Sequence, residues 1–261
     1  MILRVARSSA DNSRHNMGTL FIVATPIGNL DDITLRAINT LASADVIFAE
    51  DTRTTKVLCE RHAIRTPLLA FHQHSTANAF RKVAEALRAG QRVALVSDAG
   101  TPGINDPGGM LIAFIREAVP DAHIVPIPGA NAAVAALSVS GFPADRFVYL
   151  GFPPHKKGRQ TFFRALAEMH DTLVLYESKH RILKTLEALR DVSHIGERQL
   201  LIARELTKQF ETIVRGTIEE VIREFSRGDP RGEFVVVIAP EKRSVRRKRE
   251  PEEDSIEEDA E

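Results

Sequence analysis

Short, wholly apolar runs recur through the first half of the chain, at residues 20–24, 46–49, 68–71, 93–96 and 124–127. None alternates with polar residues, so each reads as a strand buried on both faces, as in a parallel sheet. Helix-like segments separate them, over 34–41, about 55–62, 76–90 and 110–118. In the third of these Phe80, Val83, Ala84 and Leu87 recur at helical spacing before Gly90. Strand, helix and strand in turn make a βαβ series, and hence a largely parallel sheet. A small-residue helix through Val139 follows the last run. Residues 140–146, with Gly141 and Pro143, read as the joint to a second unit. Its strands are expected at 147–150, 172–176, 200–203, 211–215 and 233–238, and its helices near 161–169, 181–190 and 218–225. The expected organisation is an N-terminal arm (1–16), an α/β domain (17–140), a second α/β domain (141–240) and a charged tail (241–261).

The turn after the fourth run is unusual. Ser97 to Gly108 reads S-D-A-G-T-P-G-I-N-D-P-G, with three glycines, two prolines and the carboxylates Asp98 and Asp106. Such a turn exposes main-chain N–H and C=O groups at the carboxyl end of a strand, where open α/β sheets bind ligands. Its carboxylates would repel an anion, so it suits a neutral or cationic ligand. A tight structural connection accounts for the same residues equally well.

Composition removes several classes. Lys+Arg 35 balance Asp+Glu 35, so no whole-molecule field announces a nucleic-acid partner. Cys59 is the single cysteine, which excludes an internal disulfide framework and fits a reducing, cytoplasmic location. No apolar run approaches the roughly 20 residues of a membrane-spanning helix. The chain has no G-x-x-x-x-G-K-[ST], H-E-x-x-H or G-x-S-x-G motif. Its nine histidines show no metal spacing, and His72 and His74 read as polar loop residues. No metal site is expected. The arm and the tail, basic over 242–249 and acidic over 250–261, are expected to be disordered.

V-A-T-P-I-G-N-L-D-D-I-T-L-R-A (23–37) resembles the opening motif of the tetrapyrrole methylase superfamily. Members bind S-adenosylmethionine in a cleft between two α/β domains. D-A-G-T-P-G-I-N-D-P-G (98–108) resembles the signature of one branch, the ribosomal RNA small-subunit methyltransferases I. A-E-D-T-R (49–53), P-G-A (128–130), Y-E-S-K-H-R (176–181) and R-E-L-T-K (204–208) agree in order and spacing. Corrin-type members carry Asp at the place of Thr101 and G-x-G-P-G-D at that of T-P-I-G-N, so both departures favour the ribosomal branch. Asn105 stands where that branch usually has serine, and the charged tail replaces a small helical extension.

The resemblance implies methyl transfer from S-adenosylmethionine to a cytidine 2′-hydroxyl in the decoding region of 16S rRNA. The implied partners are 16S rRNA or the small ribosomal subunit and a second copy of the chain, with neither membrane nor DNA. Carried onto this sequence, the cofactor contacts are Ile27, Gly28, Asp98, Thr101, Ile104, Asn131 and Ala132, with Tyr176, Leu206 and Glu233 from the second domain. For Tyr176 a buried strand aromatic is the alternative. A ribose hydroxyl is a poor nucleophile until a base takes its proton. Glu177, His180 and Lys208 rank first for that work because their motifs mark the branch; Glu50, Asp51, Asp98 and Glu205 also lie near motifs. The basic loop G-F-P-P-H-K-K-G-R (151–159), with His155, Lys156, Lys157 and Arg159, suits phosphate contacts, and Arg181 is a further candidate. Two other functions stay open: methylation of a small tetrapyrrole, and RNA or ribosome binding without turnover.

Overall fold

A computed structural model describes residues 17–71, 76–228 and 231–241. The expected arm, His72, His74 and the tail beyond Glu241 lie outside these residues. Strands β1 (Thr19–Val23), β2 (Val46–Ala49), β3 (Leu68–Ala70), β4 (Arg92–Val96) and β5 (His123–Ile127) form one sheet in the order β3-β2-β4-β1-β5. All its pairings are parallel, as the unbroken apolar runs require.

Both faces of this sheet are covered. Helices α1 (Leu35–Ala42) and α2 (Thr52–Arg61) sit on one face, where Ala37, Leu41 and Cys59 meet Val23, Ile47 and Ala94. On the other, α3 (Thr76–Arg88) and α4 (Gly108–Ala118) bring Val83, Leu87, Leu111 and Ile115 against Leu20, Ile22 and Leu95. Neighbouring residues of β1 thus serve opposite cores. Two helix starts are fixed by side chains: Thr34 accepts the Ala37 N–H at 3.0 Å, and Asp51 accepts the Arg53 N–H at 2.8 Å.

Helix α5 (Ala132–Ser140) departs from the expected division. Its Ala133, Ala136 and Leu137 pack on Val174, Leu201, Val235 and Val237 of the second sheet. The chain therefore crosses between the sheets at 128–131, ahead of the joint expected at 140–146. The helix has no charged residue and no polar side, so its partner could not be read from periodicity.

The second sheet contains β6 (Phe147–Tyr149), β7 (Thr172–Ser178), β8 (Leu200–Arg204), β9 (Thr212–Gly216) and β10 (Glu233–Ile238), in the order β6-β7-β10-β8-β9. Only β6–β7 is parallel; the other pairings are antiparallel. Helices α6 (Arg159–Leu166), α7 (Ile182–Arg190) and α8 (Ile218–Phe225) cover the face opposite α5, around Leu173, Leu175, Ile202 and Val236. Among the described residues no helix is long and apolar enough to cross a membrane.

Candidate active site

The turns after β1 and β4 are stitched together. Thr25 and Gly100 exchange backbone hydrogen bonds of 2.9 and 3.1 Å, and the buried Thr25 hydroxyl donates to Ser97 O at 3.1 Å. Asp106 folds the rest of the central turn by accepting the N–H groups of Gly103 and Gly108. The Asp98 carboxylate accepts the Asp51 N–H at 2.8 Å, tying the turn to the start of α2. Arg53 holds Asp51 down to a pKa of about 2, so that cap is ionised at neutral pH. The segment after β5 joins as well: the Thr101 hydroxyl donates to Ala130 O at 3.2 Å, and the Asn131 side chain caps α5.

These turns form the floor of a cavity of about 250 Å³ between the two sheets. Ile27, Asp98, Thr101, Ile104, Asn131, Ala132, Tyr176, Leu206 and Glu233 all line it, so the expected cofactor residues meet there, except Gly28. Gly28 faces an adjoining hollow of about 310 Å³, which shares Ile27, Asp98, Lys208 and Glu233 with the first. Its lack of a side chain has another cause: a Cβ would lie 2.4 Å from Lys208 Cγ and 3.0 Å from Leu206 O.

The far wall comes from the second sheet. The Tyr176 hydroxyl accepts the Ala133 N–H at 3.1 Å, and its ring meets those of Tyr149 and Phe152 edge-on. Tyr176 is thus both a packed strand aromatic and a wall of the cavity. Burial raises the pKa of both tyrosines, so both phenols stay protonated. Asn105 donates to the Tyr149 hydroxyl from a left-handed backbone position, φ 65°. Asparagine tolerates that conformation better than most residues with a side chain.

The 204–208 turn is strained, with Glu205 at φ 51° and Thr207 at φ 66°. It crosses to the first sheet's turns, where the Thr207 hydroxyl accepts the Asn29 N–H at 3.1 Å. Lys208 Nζ lies 3.0 Å from both Glu205 Oε1 and Glu233 Oε2. Burial works against its charge, but hydrogen bonds to Glu233 and Glu205 outweigh burial and raise its pKa. The ammonium is therefore a fixed cation, the wrong state for a general base.

The other two base candidates differ from each other. His180 is exposed and does not line the cavity. Glu177 does line it but is 1% exposed and fully engaged. Its Oε1 accepts the Ser178 N–H at 2.7 Å and pairs with Arg181 Nη2 at 2.7 Å, while Oε2 accepts the Thr185 hydroxyl at 2.6 Å. Within the basic loop His155, Lys156 and Lys157 are exposed. Arg159 and Arg181 instead turn inward, to Thr185 and to Pro153 O, at 2.8 Å each. Sequence reasoning missed Asn105 and Phe152 as cavity residues; neither carries a charge, and only their places within motifs hinted at them.

A parallel sheet is joined to a mixed one, with the cavity at the carboxyl ends of the first sheet's strands, and the family match assigns this architecture to a methylase class. A model of the Tetrapyrrole (Corrin/Porphyrin) Methylases matches residues 19–222. Solved structures of the same fold include the methyltransferase CobJ, with a TM-score of 0.62 and 24% identity over 85% of this chain and 94% of that one. Another is uroporphyrin-III C-methyltransferase from Thermus thermophilus complexed with S-adenyl homocysteine, with a TM-score of 0.60 and 18% identity over 85% and 97%.

Nearer relatives narrow the class. Ribosomal RNA small subunit methyltransferase I of Bacillus subtilis is 43% identical over 89% of this chain and 78% of that protein. The Synechocystis protein of the same name is 48% identical over 85% and 79%, and that of Escherichia coli O157:H7 46% over 88% and 79%. The chain belongs to the ribosomal RNA small subunit methyltransferase I family, within the tetrapyrrole methylases.

Proposed function

We propose that the chain methylates a cytidine 2′-hydroxyl in the decoding region of 16S rRNA, with S-adenosylmethionine as donor. One observation carries this reading: a cavity walled by carboxylates and apolar side chains lies beside a loop that exposes His155, Lys156 and Lys157. The wall chemistry fits the donor. Ile27, Ile104 and Leu206 offer apolar surface to a purine, Asn131 and Thr101 offer polar atoms, and Asp98, Glu50 and Glu233 suit a cation. When bound, the donor supplies an electrophilic methyl group on a sulfonium.

The chain's own contribution is placement and dryness. The adjoining hollow, which shares Ile27 and Asp98 with the cavity, is the space available to the acceptor nucleoside. Lys208 lines both spaces, and its ammonium acts there as a fixed positive charge held by Glu205 and Glu233. The exposed lysines of the loop supply phosphate contacts that carry no sequence information. A second copy of the chain is proposed as protein partner, supported by the charge-free outward face of α5 with Val134 and Val139 more than half exposed.

The test is transfer of tritium from labelled S-adenosylmethionine to 30S subunits and to protein-free 16S rRNA, followed by mapping of 2′-O-methyl groups. Label at a decoding-region cytidine is expected. Cofactor binding by calorimetry without any label on either RNA would overturn the assignment.

A further inference from the structure

Beneath the basic loop lies a cluster of two partly buried guanidinium groups around one buried carboxylate. Glu177, the last inward-facing residue of β7, pairs with Arg181, whose side chain is only 14% exposed and whose Nη1 donates to Pro153 O at 2.8 Å. Thr185 on α7 bridges to the other cation: its hydroxyl donates to Glu177 at 2.6 Å and accepts from Arg159 Nη2 at 2.8 Å. Arg159 also lies over the Phe163 ring, 4.8 Å from its centroid. Both ends of the loop are thus fastened to one carboxylate, through Pro153 and through Arg159 at the start of α6.

The front of the loop is fastened separately to the cavity. Gly151 O accepts the Tyr176 N–H at 2.9 Å, and Phe152 packs edge-on against the Tyr176 ring. Between these anchors only residues 155–158 project outward. A carboxylate that is 1% exposed, accepts three donors and is paired with a neighbouring guanidinium is held in one orientation by the protein itself. Its geometry is that of a support.

We infer that Glu177 is a positioning residue, not the proton acceptor: through Arg181, Thr185 and Arg159 it holds the 151–158 loop in the shape that grips RNA. The inference rests on the RNA reading for the loop's purpose, but not for its anchoring. The carboxylate sets the two guanidiniums, the guanidiniums set the loop backbone, and the backbone aims Lys156 and Lys157.

The experiment compares wild type with Glu177→Gln and Thr185→Val in three measurements. Trypsin cleavage after Lys156 and Lys157 should accelerate in both variants, more in Glu177→Gln. In Thr185→Val, whose residue does not line the cavity, calorimetric affinity for S-adenosylmethionine should stay within about threefold, while in both variants KM for 30S subunits should rise roughly tenfold, the scale of one charge-assisted hydrogen bond, and far more than kcat falls. Thr185→Val, which removes a hydroxyl at constant shape, covers the case in which Glu177→Gln fails to fold. A kcat loss of about 10²-fold or more in Glu177→Gln at unchanged KM would make Glu177 the base and overturn the inference. Unchanged trypsin susceptibility would overturn it too, and needs no RNA. If wild type leaves RNA unlabelled, the rRNA reading fails while the trypsin result still decides the anchoring.

Discussion

Gly28 shows how a motif residue can be dictated from far along the chain. Its turn follows β1, yet the atoms that forbid a Cβ belong to Leu206 and Lys208 of the second sheet's strained turn. Gly28→Ala should push that turn away and cost about 1–3 kcal/mol, as overpacking does. Thermal unfolding and cofactor calorimetry together check this; loss of affinity without loss of stability would mean direct cofactor contact instead. The same turn predicts a pH window. Burial raises the Glu205 pKa, but the Glu233 N–H and Lys208 more than reverse this, so the net shift is downward from 4.5. Its contribution is present above that value and lost as pH falls through the lower folded-state pKa. Lys208 is shifted upward from 10.5, so its contribution is present below that value and lost as pH rises through the folded-state pKa. The difference in melting temperature between wild type and Lys208→Met should stay level between these limits and shrink outside them, at the acid end through Glu205 and at the alkaline end through Lys208.

Among the elements, strands were the most legible, because a run such as Val93-Ala94-Leu95-Val96 can hardly be anything but buried sheet. Helix α5 was legible as a helix but not in its allegiance, since a segment apolar on all sides points to no particular core. The cavity residues came from motifs; the inward turn of Arg159 and Arg181 did not, because a guanidinium looks alike in sequence whether it meets phosphate or a buried carboxylate. That separation has a measurable side. Replacing Lys156 and Lys157 by alanine should weaken RNA binding and reduce the salt-dependence slope by about 1 per lysine, with cofactor affinity unchanged. An unaltered slope would remove this loop from the RNA interface.

At the scale of the whole molecule, the outward face of α5 presents Val134, Ala135, Ser138 and Val139 without a charge. Sedimentation should show a two-copy species for the wild type, and Val134→Glu with Val139→Glu should convert it to one copy; a wild-type monomer would refute the dimer. The strand order has a further consequence, in time rather than space. β10, the last described strand, lies between β7 and β8 in the middle of its sheet. Until it arrives, the hairpin β8–β9 and the pair β6–β7 exist as separate pieces with open edges, the sort that recruit stray strands from other chains. Glu233, Phe234 and Val235 also belong to β10 and line the cavity. A chain emerging from the ribosome therefore gains its finished second sheet and the closed wall of the cavity in the same late step, with long-range contacts that fold slowly.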